Sequence, residues 1–401
     1  MPIPMSANPS GATLESELPE SAYRPNPFRF VVDVSITITL LVLLAVTTEL
    51  VSVVVLSVAQ RPHSRIGIQH SYYRTQPWAA EFWREITLAG PTRYSPYVVW
   101  RRGPFTGKYV NVESNGLRRT VNPECSAGAH QIWIFGSSTL WGTGAKDDQT
   151  IASILSQEYA ESIGPVCVTN FGEAGWTSTQ NIIQLELALK QSLHAPDWVL
   201  FDDGYADIFP VYESGKADVH MDFDHIRNSL ETAFHRSSFY YLKETGTYRF
   251  ITLAMNKIAS LKADKASPIL PSRNLDQLAA MTVGNYLGNM KLMESLSAGY
   301  GFQYVAFWGP TLYVGKKPLS DGERDIVNSA RPGEPDLCRK TYALMFSAPH
   351  AHLVDISDTF DRVPADTYID AAHVTPDGNR MVALRILETL KRFGKERPST
   401  R

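Results

Sequence analysis

The chain has 401 residues, about two to three domains' worth by length. An apolar fraction of 44% and a charged fraction of 20% exclude disorder throughout and a fibrous repeat. Lys plus Arg total 38 against 41 Asp plus Glu, a net charge of −3, so no broad nucleic-acid surface is expected.

Residues 1–29 hold six prolines and few apolar residues, and read as a disordered tail. A transmembrane helix is expected over 30–59, where the run 34–59 carries a single charge, Glu49. At 1.5 Å per residue that run reaches about 35–40 Å, enough for a hydrocarbon core of about 30 Å. The alternative is a buried core helix or strand pair, because β-branched residues abound and Glu49 is costly in lipid. A cleaved signal peptide fits less well, since its apolar core runs to about 7–15 residues. Arg24 and Arg29 precede the segment and Arg61, Arg65 and Arg74 follow it, which tilts the C-terminal part toward the cytoplasm by a margin of one. Residues 60–125, rich in Arg, Tyr, Trp and Pro, read as an irregular lead-in with short strands packed on the main domain.

From residue 131 apolar runs alternate with helical periodicity. Strands are expected at 131–136, 166–172, 197–204, 303–310 and 352–357, with helices at 150–162 and 179–193. That alternation argues for a mainly five-stranded parallel sheet between helical layers, over about 126–395. A long excursion, about 210–300, either roofs a site or adds a helical layer. In parallel sheets ligands gather at the carboxyl ends of the strands, which directs attention to the loops there.

Those loops contain Gly136-Ser137-Ser138 after the first strand and, far downstream, Asp370 three residues before His373. A serine hydroxyl becomes a nucleophile when a neutral imidazole takes its proton and a carboxylate orients that imidazole. The bland readings are a helix-capping serine and a solvated turn. Three cysteines (Cys125, Cys167, Cys338) are too few for a disulfide framework or a zinc site, and leave open one disulfide with an odd thiol. No metal or cofactor is expected.

The blocks resemble, in order, those of the SGNH (GDSL-type) hydrolases: Gly136-Ser137-Ser138, Asn170-Phe171-Gly172-Glu173-Ala174-Gly175, Gly204-Tyr205-Ala206-Asp207, and Asp370 with His373. The resemblance covers residues 131–390. It implies a flavodoxin-like three-layer α/β/α fold, with Ser138, His373 and Asp370 as catalytic triad and the N–H groups of Ser138 and Gly175 as oxyanion donors. Ser137 stands where the family has Asp, and Ala206 where it has an Asn whose amide completes the oxyanion hole. Tyr205 or the loop after Gly309-Pro310 are candidate replacements. Asp207 is expected to hold neighbouring loops. Trp141 and Trp176 are expected either to wall the substrate or to pack in the core.

The expectation is therefore a membrane-anchored serine esterase removing O-acetyl or other short acyl groups from a carbohydrate or similar ester. A polysaccharide O-acetyltransferase and a catalytically weakened glycan-binding scaffold are the alternatives. The implied substrate favours an extracytoplasmic domain, against the arginine count.

Overall fold

The computed structural model describes residues 27–59, 69–234, 238–243, 245–262 and 274–395. The expected tail falls outside them up to residue 26, and residues 27–29 already belong to a helix. The chain divides into two compact units, one of residues 1–60 and 241–258, the other of 61–240 and 259–401.

The first unit is built on α1 (Pro27–Ala59). Its portion Pro27–Ser57 is long and apolar enough to cross a membrane. The threonines that hinted at a strand are reconciled with the helix by local bonds. The hydroxyls of Thr37, Thr39, Thr47 and Thr48 donate to the carbonyls four residues back, and Ser57 to the carbonyl of Val54. None of these hydroxyls needs an outside partner.

The second unit opens with a lead-in containing helix α2 (Ala79–Ala89) and the antiparallel hairpin β1 (Thr92–Ser95) and β2 (Val99–Arg102). The helix was not expected there. Phe82 and Ile86 at i, i+4 form its apolar stripe, and Phe82 and Trp83 pack with Tyr73, Val110, Trp141 and Ile369 in a separate small core. Glu85, on the same helix, is buried and accepts three backbone N–H groups, from Lys108, Tyr109 and Val110, at 2.8, 2.8 and 3.0 Å.

The main sheet follows in five parallel strands: β3 (His130–Gly136), β4 (Val166–Asn170), β5 (Trp198–Asp203), β6 (Gln303–Trp308) and β7 (Leu353–Asp355). Their order is β4-β3-β5-β6-β7, which among these five is 2-1-3-4-5, the flavodoxin-like doubly wound order. Alternate residues serve opposite faces. Val199 and Phe201 join one core, with Leu185 and Leu189 of α5 (Ser178–Gln191) among their neighbours. Leu200 joins the other, with Leu155 of α4 (Ile151–Ser162) and Ile386 near the C-terminus. The three-layer α/β/α architecture follows from that alternation.

Between β5 and β6 the excursion contributes α6 (Tyr205–Ser214), α7 (Gly246–Lys262) and α8 (Leu275–Tyr300). Leu278, Val283, Tyr286 and Met293 of α8 pack against the sheet, so this part is a layer helix. It starts at Leu275, where Asn274 caps it by accepting from the N–H groups of Asp276 and Gln277. After β6 come α9 (Glu334–Met345) and, after β7, α10 (Pro376–Lys395). Cys125 and Cys167 form a disulfide, and Cys338 is a buried free thiol.

Glu85 is the most heavily used carboxylate of the lead-in. Glu85→Ala strands three backbone donors, which costs at least about 3 kcal/mol at roughly 1–3 kcal/mol each. A urea unfolding curve should show that loss, whereas Glu85→Gln, which keeps an acceptor, should lose less.

Candidate active site

The carboxyl end of β3 delivers Gly136, then Ser137 as cap and Ser138 as first residue of the short helix α3 (Ser138–Trp141). A Cβ at Gly136 would lie 2.6 Å from the Asp202 carbonyl and 3.0 Å from Leu140 Cβ. Only glycine lets the strand turn into the helix so close to β5, and this aims Ser138 at the sheet edge.

The other two groups come from the loop before α10. The Asp370 carboxylate accepts the N–H groups of Ala372 and His373 at 3.0 and 2.8 Å, while the His373 carbonyl accepts the N–H of Ile369. The i, i+3 relation thus arises from an Asx-type turn rather than from a helical turn. Within it, His373 Nδ1 lies 2.6 Å from Asp370 Oδ2, and His373 Nε2 lies 2.7 Å from Ser138 Oγ. Ser138 and His373 are 235 positions apart in the chain.

Electrostatics set the proton inventory of this chain of bonds. Burial pushes the Asp370 carboxyl up, but the facing imidazole and the two backbone N–H groups outweigh it and hold it at about 2. For His373, burial and the Arg102 guanidinium oppose protonation, yet the charge and hydrogen bond of Asp370 prevail and raise the imidazole above its ordinary value.

Ser138, Gly175, Ala206, Asp370 and His373 all line one cavity of about 390 Å³. Gly175 has φ +76°, a left-handed conformation natural to glycine. A Cβ there would also lie 3.2 Å from Trp100 and 3.3 Å from the Met221 sulfur. Among the described residues, neither the Ser138 nor the Gly175 N–H donates to a protein acceptor. The replacement donors considered for Ala206 are engaged elsewhere. The Tyr205 hydroxyl bonds Glu334, and in the loop after Gly309-Pro310 the Thr311 hydroxyl and the Leu312 N–H both donate to the Ala371 carbonyl, at 2.8 and 2.9 Å.

Asp207 sits at the start of α6 and accepts from both the N–H and the hydroxyl of Ser178, at 3.0 and 2.6 Å. It ties the third block to the first turn of α5. Of the two alternatives for Trp141 and Trp176, a substrate wall or core packing, the structure places both rings completely buried and outside the cavity lining. The physical reason lies in the lead-in. The Arg102 guanidinium stacks 3.8 Å and that of Arg118 4.5 Å from the Trp141 ring centre, and Arg101 covers Trp176 at 4.5 Å. Arg102 is fixed in turn by Glu173, at 2.7 Å.

Phe209, Met221 and Asp202 are among the cavity residues not singled out from sequence. Burial pushes the Asp202 carboxyl up to about 7, despite the Thr139 hydroxyl. An Asp-Asp pair ending an apolar strand was the only available signal.

No family model matches the chain, and no curated protein matches it. Solved structures to which it is similar include a member of the lipolytic G-D-S-L protein family from Veillonella parvula, with 14% identity over 66% of this chain and 100% of that one, at a TM-score of 0.35. A psychrotrophic esterase from a Pseudoalteromonas species matches with 11% identity over 66% and 99%, at 0.33. An acetylxylan esterase from Geobacillus stearothermophilus matches with 13% identity over 67% and 95%, at 0.30.

An NMR titration of the His373 ring should give a midpoint above about 6.5. In Asp370→Asn only burial and Arg102 act, so the midpoint should fall below that value.

Proposed function

We propose that this chain is a membrane-anchored serine esterase of the SGNH type, which removes O-acetyl or other short acyl groups from a carbohydrate or similar ester. The observation that carries the reading is the hydrogen-bonded series Ser138–His373–Asp370 opening into a cavity beside two undirected backbone N–H groups. Esterases in general fit this arrangement. The carbohydrate ester is what the family resemblance implies, and 390 Å³ accommodates an acyl group with part of a sugar.

In the proposed mechanism His373 Nε2 takes the proton from Ser138 Oγ as that oxygen attacks the acyl carbon. Asp370 keeps Nδ1 protonated and stabilises the imidazolium. The N–H groups of Ser138 and Gly175 receive the oxyanion. His373 then protonates the leaving alcohol, and water attacks the acyl-enzyme with His373 again as base.

Ala206 offers no side-chain donor, and one missing oxyanion donor typically costs about 10² to 10³ in kcat. We infer a slow esterase. The same residue favours, as a second reading, a weakened glycan-binding domain. Apolar length and internally bonded hydroxyls support α1 as the anchor. The Cys125–Cys167 disulfide supports an oxidising, extracytoplasmic location, against the arginine count.

The full chain in detergent should hydrolyse an activated acetyl ester, and Ser138→Ala should reduce kcat by at least about 10³-fold. Ala206→Asn should raise kcat by about tenfold or more, restoring part of the donor's contribution. Equal rates for parent and Ser138→Ala would overturn the esterase reading, and turnover that appears only with an added sugar would make it an acyltransferase.

Because His373 must be neutral to act, kcat/KM should fall on the acid side, with its limb above about 6.5. Asp370→Asn should move the remaining limb downward as well as slow the reaction. A pH–rate profile reads both changes.

A further inference from the structure

Glu49 is the one charge in the apolar run 34–59, and its partner identifies a second element of the first unit. Its carboxylate accepts the backbone N–H of Gly246, and through Oε2 the N–H and hydroxyl of Thr247, both at 2.8 Å. These are the first two residues of α7. The N–H of Tyr248 donates to the Thr245 hydroxyl, and that of Arg249 to the Thr245 carbonyl. Every N–H of the opening turn of α7 is therefore satisfied by protein. Water ordinarily serves some of them, and a helix end placed in lipid has no such help. A carboxylate in the apolar run and an uncapped helix end are each expensive in hydrocarbon, and here each cancels the other's cost.

The approach is close. A Cβ on Gly246 would lie 2.7 Å from Val53 Cγ2 and 3.3 Å from the Val53 nitrogen, so α7 begins against the backbone of α1. Beyond that contact its apolar residues outrun what α1 covers. Ile251 and Met255, at i and i+4, are 51% and 64% exposed. Arg249 lies on the other side of the helix from that pair by its position in the turn.

Depth along α1 agrees. About 20 residues cross the hydrocarbon core, and Pro27–Ser57 contains 31, so Glu49 falls toward the C-terminal boundary of the span. There an amphipathic helix lies along the surface with its apolar side in the acyl–headgroup zone.

We propose that α7 is a second membrane-contacting element, an interfacial helix docked on α1 through Glu49 and Gly246, with Ile251 and Met255 facing lipid acyl chains. This rests on the reading of α1 as a membrane span. The chain then enters the lipid zone twice, once through the N-terminal helix and once through the excursion between β5 and β6.

The test uses the full chain with Cys338→Ala, reconstituted in phosphatidylcholine vesicles and spin-labelled at single introduced cysteines. Sites are Leu41 in the span, Ile251 and Met255 on α7, and Leu193, which is 95% exposed on the second unit. Collisions with oxygen, which concentrates in lipid, are compared with those of a water-soluble nickel chelate. Labels at Leu41, Ile251 and Met255 should all favour oxygen, and the label at Leu193 the chelate. Oxygen preference at Leu41 with chelate preference at Ile251 and Met255 overturns the proposal and leaves the anchor standing. Chelate preference at Leu41 overturns the anchor itself. Glu49→Leu and Gly246→Leu should each shift the α7 labels toward the chelate without moving Leu41, and no shift in either would refute the docking.

Discussion

Five strands running in one direction bring all their carboxyl ends to one edge of the sheet, and the site depends on that constraint. β3 and β5 are neighbours, with Gly136 opposite Asp202, yet their connections leave toward opposite sides of the sheet. The loop carrying Ser138 and the loop carrying Ala206 therefore open around one crevice. The segment after β7 closes over the same edge, and its Asx turn presents His373 to a serine 235 positions earlier. No single loop contains the arrangement; the strand order assembles it.

Around that edge the protein buries charge, and does so in paired sets. Glu85 gathers three N–H groups, Arg118 pairs with Asp147 at 2.8 Å, and Glu173 accepts from Arg102 through both side chain and backbone. Such groups contribute by not being left alone, since an unpaired buried ion costs far more than a paired one gains. The set around Arg102 also reaches the candidate site. It secures Trp141 beside the turn that carries Ser138 and places a positive charge that opposes protonation of His373. At the end of β5 the balance differs. Asp203 is buried between Asn181 and Tyr286 and beside Asp202 and Asp207, so burial and like charge both drive its carboxyl toward the protonated form.

Apolar runs and their helical spacings made the sheet legible from sequence, because a parallel strand buried on both faces leaves a continuous hydrophobic signature. Ser138, Gly175, Asp370 and His373 were named through the family resemblance, and the structure brings all four around one cavity, with the turn that joins Asp370 to His373 visible only there. What escaped was set by distant partners. Trp141 and Trp176 look like a substrate wall until the arginines that cover them are placed. Helix α2 hides in an Arg- and aromatic-rich stretch because its apolar stripe is short. Glu49 reads as a defect in the apolar run until its partners, nearly 200 residues away, are found. β7 is shorter than its apolar run, because the chain turns at Ile356 into a 3₁₀ turn over Ser357–Phe360.

The proposed esterase function stands or falls with Ser138 as a nucleophile activated by His373. Treating the full chain with a fluorophosphonate and mapping the adduct by peptide mass spectrometry tests it without assuming a substrate. A single adduct on Ser138 that disappears in His373→Ala is expected. An unmodified Ser138, or equal labelling with and without the imidazole, would contradict it.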